Sequence, residues 1–143
     1  MVQHVRKGRK PDVITVGLLG EATVEAAAAV RNGLPVEVVD HVLDAHKLEP
    51  QEVYRLVVSE RTLRRRRVKE TTLTEYESDR LARVLRIVSR AETVLGDEAK
   101  AHRWLRRENR ALDGSRPIDL LDTDAGAQLV ERTLGRLQHG VYS

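Results

Sequence analysis

The chain has 143 residues and no cysteine, which excludes a disulfide scaffold, thiolate metal sites and a cysteine nucleophile. Only 3% of its residues are aromatic, only four are proline, and no β-branched residues alternate with polar ones, so we predict an all-α protein with a core of Leu, Val, Ala and Ile. The basic first residues lead into no signal peptide, and no apolar run is long enough to cross a membrane. We therefore expect a cytoplasmic protein with no membrane partner.

The net charge of +3 conceals an uneven distribution along the chain. Residues 59–90 contain ten Lys or Arg against five Asp or Glu, whereas residues 1–58 and 91–143 are close to balanced. The densest run is RTLRRRRVK, at residues 61–69. A local basic cluster in a balanced chain indicates a surface for an anionic partner such as nucleic acid.

The first twenty residues are weakly patterned, and VITVGLLG at 13–20 fits either a short strand or a packed arm. Three short helices are predicted next. Thr23 caps the first and Gly33 ends it, Pro35 lies in the first turn of the second, and Pro50 stands near the start of the third. Apolar residues at helical spacing predict the inward faces of the second and third helices: Val38, Val39, Val42, Leu43, Val53, Leu56 and Val57.

Ser59 is predicted to cap a fourth, basic helix. If Leu63 points inward, Arg61 and Arg65 lie nearly opposite it, because successive residues advance by about 100°. Two short helices with a tight break between them form the helix-turn-helix pattern, in which the second helix enters the DNA major groove. The predicted DNA-contacting residues are Ser59, Arg61, Thr62, Arg64, Arg65, Arg66 and Lys69. The alternative is a solvated face that contacts acidic residues of a partner or of a second copy of the chain.

The remaining sequence predicts three further helical segments and a final helix. A capping box of Thr74 and Glu77 starts the longest helix, with Leu81, Val84, Leu85, Val88, Ala91 and Leu95 inward. Gly96 ends this helix and Asp97 caps the next one, which buries Ala101, Trp104 and Leu105. Pro117 can begin a short helical turn. Thr123 caps the last helix, which turns Ala127, Val130, Leu134 and Leu137 inward and stops at Gly140.

The sequence offers little evidence for a catalytic site. No two of the five histidines have the i, i+4 spacing of a helical metal site, and we expect His102 to be a partly buried structural residue. Asp119, Asp122 and Asp124 are read as capping and turn residues that bind backbone N–H groups. Neither a Gly-rich phosphate loop nor a nucleophile elbow is present. We predict no enzyme activity, no cofactor and no metal, and interpret Trp104 as a core anchor or, alternatively, an interface hot spot.

From Val94 onward the sequence resembles the toxin-binding domain of Xre/MbcA/ParS-type antitoxins, most densely in GDEAKAHRWL, NRALDGSRPIDLLDT and LGRLQHGVYS. The upstream SERTLRRR and LTEYESDRLARVLRI are similar to the Xre-like helix-turn-helix of the same proteins, so the resemblance spans roughly residues 22–143. It implies the antitoxin of a bacterial type II toxin–antitoxin pair, whose partner is a RES-domain toxin that degrades NAD⁺. In such pairs the C-terminal domain covers the active-site cleft of the toxin and the N-terminal part represses the shared promoter.

The resemblance also implies which residues face the toxin, of which we expect about half to be structural: Trp104, Asn109, Arg110, Leu112, Gly114, Arg116, Pro117, Leu120, Leu121, His139, Gly140, Val141, Tyr142 and Ser143. By position alone the last residues are either a frayed end or a probe, with Tyr142 beside the terminal carboxylate, that enters a pocket of the partner.

We expect an N-terminal arm at 1–20, a helix-turn-helix module at 21–73 and a helical toxin-binding domain at 74–143. A homodimer on operator DNA is expected, because helix-turn-helix proteins commonly bind two half-sites. The alternatives are a stand-alone transcription regulator and a polar or chromosomal scaffold protein.

Overall fold

The computed structural model describes residues 19–140. Its described part is helical, which confirms the all-α prediction, and its one β-bridge pairs Pro35 with Thr72. The helices follow in the order α1 (Val24–Asn32), α2 (Glu37–Asp44), α3 (Pro50–Leu56), α4 (Glu60–Lys69), α5 (Glu75–Leu95), α6 (Glu98–Arg106), the 3₁₀-helices η1 (Arg110–Leu112) and η2 (Pro117–Asp122), and α7 (Asp124–Gln138). Most of the segment VITVGLLG lies outside the described residues.

The helix starts follow the sequence closely because short polar side chains satisfy N–H groups that have no partner within the helix. In the capping box of α5, Thr74 Oγ1 accepts from the N–H of Glu77 at 3.1 Å, and the Glu77 carboxylate accepts from the N–H of Thr74 at 2.8 Å. The predicted N-caps are confirmed at all five positions: Thr23, Ser59, Thr74, Asp97 and Thr123.

The prediction for Pro35 is wrong, because this residue precedes α2 and does not lie in its first turn. The flanking backbone is held elsewhere: the N–H of Leu34 donates to Ser78 Oγ at 2.9 Å, and its carbonyl accepts from Leu73 at 2.8 Å. These bonds and the Pro35–Thr72 bridge draw the α1–α2 connection onto the α4–α5 connection, and α2 begins only at Glu37. Both partners lie about forty residues away in sequence, where local patterns carry no information about them.

Helix α5 is the central element of the fold. It packs against α1 and α3 on the N-terminal side and against α6 and α7 on the C-terminal side, so the apolar side chains form one continuous cluster. Its inward residues are buried as predicted, except that Leu95 is only partly buried. The division into modules at residues 73 and 74 stays a prediction, since α5 begins there and contacts helices on both sides.

Ion pairs join the N-terminal helices to the C-terminal ones. Arg106 of α6 binds Glu52 of α3 through two hydrogen bonds of 2.8 Å, and the Glu52 side chain is only 7% exposed. Lys47, in the α2–α3 connection, binds Glu92 of α5 at 2.8 Å and also pairs with Glu98 of α6. The Arg106–Glu52 pair fixes α3, the first helix of the predicted helix-turn-helix, onto α6, and Lys47 fixes the α2–α3 connection onto α5 and α6. None of the helices within residues 19–140 is long and apolar enough to cross a membrane.

Candidate DNA and protein interfaces

Helices α3 and α4 form the predicted helix-turn-helix, joined by a turn at residues 57–59. Val57 and Val58 are buried in this turn, and Ser59 then caps α4 by accepting from the N–H of Thr62 at 3.2 Å. Along α4, Leu63 is the buried residue, with 1% exposure. One side of α4, centred on Leu63, therefore holds the helix on the body of the protein, and most of the remaining circumference faces outward.

Most of the predicted DNA-contacting residues lie on that outward part of α4. Arg61, Arg64, Arg65 and Lys69 are exposed, and Thr62, partly buried, accepts a hydrogen bond of 2.9 Å from the Ser59 hydroxyl. Arg64 pairs with Glu60 at 3.0 Å, but both side chains are more than half exposed, so water screens this pair and it contributes little. These cations are available to an anionic ligand.

The structure separates Arg66 from this group. Its side chain is only 16% exposed and pairs with Glu77 in the first turn of α5. The physical reason is its position three residues after Leu63, which places it beside the buried face of the helix. Arg67, four residues after Leu63, similarly pairs with Asp40 of α2. Arg66 thus attaches α4 to the rest of the protein, whereas the side chains of the Arg67–Asp40 pair are 40% and 49% exposed, so water screens that pair and it contributes little. A contact of Arg66 with DNA stays a prediction.

In the C-terminal half, Asn109 closes the loop that leads into η2. Its side-chain oxygen accepts from the N–H of Ala111 at 2.9 Å, while its own N–H donates to the carbonyl of Ser115 at 3.1 Å. Its carbonyl accepts from Gly114 at 2.9 Å, and both Asp113 and Gly114 have positive φ angles, of 55° and 81°. The loop is therefore a compact structure in which Asn109 is a folding residue, although its partial exposure leaves it accessible.

The residues expected to face a toxin divide into a buried and an accessible group. Leu112, Pro117 and Leu121 are buried against the core, and Leu120 is packed against it. The accessible ones, wholly or in part, are Trp104, Asn109, Arg110, Gly114, Arg116, His139 and Gly140. Val141, Tyr142 and Ser143 lie outside the described residues.

Arg116 pairs with Asp119, which also binds an arginine of the N-terminal half. Asp119 accepts two hydrogen bonds of 2.9 Å from Arg116 and another from Arg55 of α3. Hydrogen bonding to Arg116 in particular lowers the pKa of the Asp119 carboxyl below its ordinary value, despite partial burial. The reading of Asp119 as a residue that binds backbone N–H groups is wrong, because its partners are two guanidinium groups. Asp124 likewise accepts from the side chain of Gln128, at 2.9 Å.

Two family models together cover most of the described residues. The one described as antitoxin Xre-like helix-turn-helix domain matches residues 25–86, and the one described as antitoxin Xre/MbcA/ParS C-terminal toxin-binding domain matches residues 90–140. A protein named Antitoxin Xre from Photorhabdus laumondii is 32% identical over 131 residues, which is 90% of this chain and 88% of the relative. Another of that name, from Yersinia enterocolitica, is 32% identical over 130 residues with the same coverage. The chain belongs to the Xre antitoxin family.

A more distant relative carries a different name. The Prs ADP-ribosylating antitoxin from Sphingobium sp. is 28% identical over 91 residues, which is 57% of this chain and 57% of the relative. Family membership gives the antitoxin a DNA-binding and a toxin-binding domain, and hence DNA and a toxin as partners.

Within residues 19–140 no three His, Asp or Glu side chains come together as a potential metal site. His102 is partly buried, as predicted, with its Nε2 atom 3.3 Å from the Glu92 carboxylate.

Trp104 is also only partly buried: it packs against the core on one side and lines a surface pocket of about 230 Å³ on the other. Its packing supports the role of Trp104 as a core anchor, and its role at an interface stays a prediction.

Proposed function

We propose that this antitoxin neutralises a RES-domain toxin that degrades NAD⁺, and represses its own promoter through α3 and α4. The observation that carries the proposal is the coexistence of an exposed basic face on α4 with an accessible C-terminal surface in a chain of this family. Both surfaces project from one helical body that is built on α5.

For the promoter, Arg61 and Arg65 point away from the buried Leu63, which is the orientation that a recognition helix needs. Arginine binds phosphate oxygens and the O6 and N7 edge of guanine, so these side chains supply both affinity and base readout. A homodimer would present two such helices to two half-sites about one helical turn apart.

For the toxin, the proposed mechanism is steric. The accessible side chains around η1, together with residues 139–143, would cover the cleft into which NAD⁺ must enter, so inhibition needs no catalytic group on this chain. The rigid loop closed by Asn109 supports this role, because a preformed surface loses little conformational entropy when it binds.

Co-expression with the adjacent reading frame, followed by co-purification and an NAD⁺-consumption assay, tests the proposal. We expect a stable complex that consumes NAD⁺ only after this chain is removed. Deleting residues 140–143 should restore toxin activity, while the truncated chain still binds promoter DNA. Promoter binding with no complex and uninhibited NAD⁺ consumption would instead identify a stand-alone regulator. Self-assembly with weak DNA sequence preference would identify a scaffold protein.

The name of the Sphingobium relative favours a second candidate, in which the toxin transfers ADP-ribose to a protein. Both reactions release nicotinamide from NAD⁺, but hydrolysis leaves free ADP-ribose and transfer leaves it bonded to a protein side chain. NAD⁺ labelled in its adenine ring therefore separates the two: label in free ADP-ribose indicates hydrolysis, and label on protein indicates transfer.

A further inference from the structure

Helix α6 and the residue that follows it carry a second group of cations, which the DNA-binding surface does not include. Lys100 and Arg103 are exposed and lie three residues apart on α6, and Arg107 is the exposed residue with extended backbone that directly follows the helix. All three line the pocket that contains Trp104. We call these three residues the α6 basic stripe.

The stripe has no ion-pair partner within residues 19–140. The neighbouring cation of the same helix behaves differently, since Arg106 binds Glu52 through two hydrogen bonds. The charges of the α6 basic stripe are thus directed away from the body of the protein, whereas the charge of Arg106 is directed into it.

Stabilisation of the helix does not account for the stripe. Cations favour the carboxyl end of a helix, which accounts for Arg103 and Arg107. Lys100 is the third residue of α6, where the helix dipole disfavours a positive charge, and it gains no intramolecular ion pair in return. Three like charges around one pocket also repel one another, which indicates a surface shaped for an external partner.

The other lining residues indicate the class of partner. Trp104 and Leu95 supply apolar surface, and Glu108 adds a carboxylate that would repel the phosphates of nucleic acid. A half-buried tryptophan surrounded by arginines is typical of the hot spots of protein–protein interfaces. The stripe also lies in the segment that matches the toxin-binding family model.

We infer that the α6 basic stripe docks an acidic surface of the toxin, with Trp104 at the centre of the contact. This inference rests on the proposed function, and adds to it the chemistry that the partner must present: carboxylates around an apolar group that fits beside the indole ring. Opposite charges on the two surfaces would accelerate association at low salt and fix the orientation in which the antitoxin meets its target.

A pair of charge-reversal variants tests the inference. R103E/R107E alters the stripe, and R132E/R136E makes the same change of charge at the same i, i+4 spacing on exposed arginines of α7. Toxin affinity is measured by association and dissociation kinetics at several salt concentrations, using the protein from the adjacent reading frame. We expect R103E/R107E to bind about 10–100-fold more weakly at low salt, with the difference shrinking as salt rises. The α7 variant should stay within about threefold of the unmodified chain.

Trp104 provides a second, independent readout because it is the one tryptophan of the chain. Incorporation of 5-fluorotryptophan into this chain alone gives a single ¹⁹F signal, which should shift when unlabelled toxin is added and stay in place when promoter DNA is added. A signal that does not move in a complex that forms would overturn the central position of Trp104.

The outcomes separate the inference from the proposed function. If the unmodified chain forms no complex with the toxin, the proposed function fails and the inference fails with it. If the complex forms but R103E/R107E and R132E/R136E bind the toxin equally well, the inference alone is wrong. If R103E/R107E loses promoter affinity and keeps toxin affinity, the stripe is a nucleic-acid surface and the inference is again overturned.

Discussion

Replacing Glu52 with alanine would remove a carboxylate on which α3 and α6 both depend. Two oxygens of Glu52 accept from Arg106 at 2.8 Å, and one of them also accepts from the N–H of Glu49 at 2.8 Å in the capping box of α3. The variant would leave a guanidinium that is only 24% exposed without its partner and would remove one of the two reciprocal bonds of the capping box.

The expected cost follows from the exposure of the two groups. Removing one partner of a fully buried pair costs about 3–5 kcal/mol, and the loss of a helix cap costs about 1 kcal/mol. Because Arg106 retains some contact with water, which compensates part of the lost bond, we expect a total of about 2–4 kcal/mol. At roughly 3 °C per kcal/mol for a chain of this size, the melting temperature should fall by about 6–12 °C.

Urea unfolding followed by Trp104 fluorescence and by circular dichroism measures this change. Glu60→Ala is the matched control, since it breaks the exposed pair with Arg64 and should cost less than about 0.5 kcal/mol. A double-mutant cycle with Arg106→Met isolates the coupling between the two side chains. A cost of Glu52→Ala below about 1 kcal/mol, or a coupling energy no larger than that of the Glu60 pair, would refute the reasoning.

Gly126→Ala should destabilise the protein by about 1–3 kcal/mol, because the added Cβ would lie 1.9 Å from a carbonyl oxygen of η2. Gly135→Ala, on the same helix, adds a Cβ that meets nothing within 4 Å and should stabilise the protein by up to about 1 kcal/mol. Thermal melts of both compare the two directly, and equal shifts would contradict the close packing. Arg65→Ala should lower the slope of log affinity against log salt for promoter DNA by about 1, whereas Arg66→Ala should mainly lower the melting temperature, and an equal loss of slope for both would contradict their separation. Burial opposes ionisation of the Glu52 carboxyl, but its hydrogen bonds to Arg106 outweigh burial and lower its pKa in the folded protein. The ionised carboxylate therefore contributes its full stability above the ordinary pKa of 4.5, and this contribution is lost as the pH falls through the lowered pKa of the folded protein. The unfolding free energy of Glu52→Gln should accordingly depend less on pH in this range, and parallel pH profiles for the two proteins would contradict the assignment.

Local chemistry allowed the sequence to predict most of the helices. An N-cap such as Ser59 needs only a hydroxyl within three residues of the N–H groups that it binds, and the inward direction of Leu63 follows from the helical repeat. The tertiary contacts of Arg66 and Asp119 were not predictable in this way. Their partners, Glu77 and Arg55, lie 11 and 64 residues away, and nothing local distinguishes an arginine that will find a carboxylate from one that faces water.

The candidate interfaces likewise combine features that follow from local sequence with features that depend on tertiary contacts. The sequence by itself determined the all-helical fold, the helix-turn-helix and the family, because each depends on residue types at short, fixed spacing. Only the tertiary structure decided which cations are neutralised internally and which remain available. An ion pair forms where packing of the apolar faces around α5 brings opposite charges together, and that packing sets Arg106 against Glu52 while it leaves Arg103 and Arg107 facing outward.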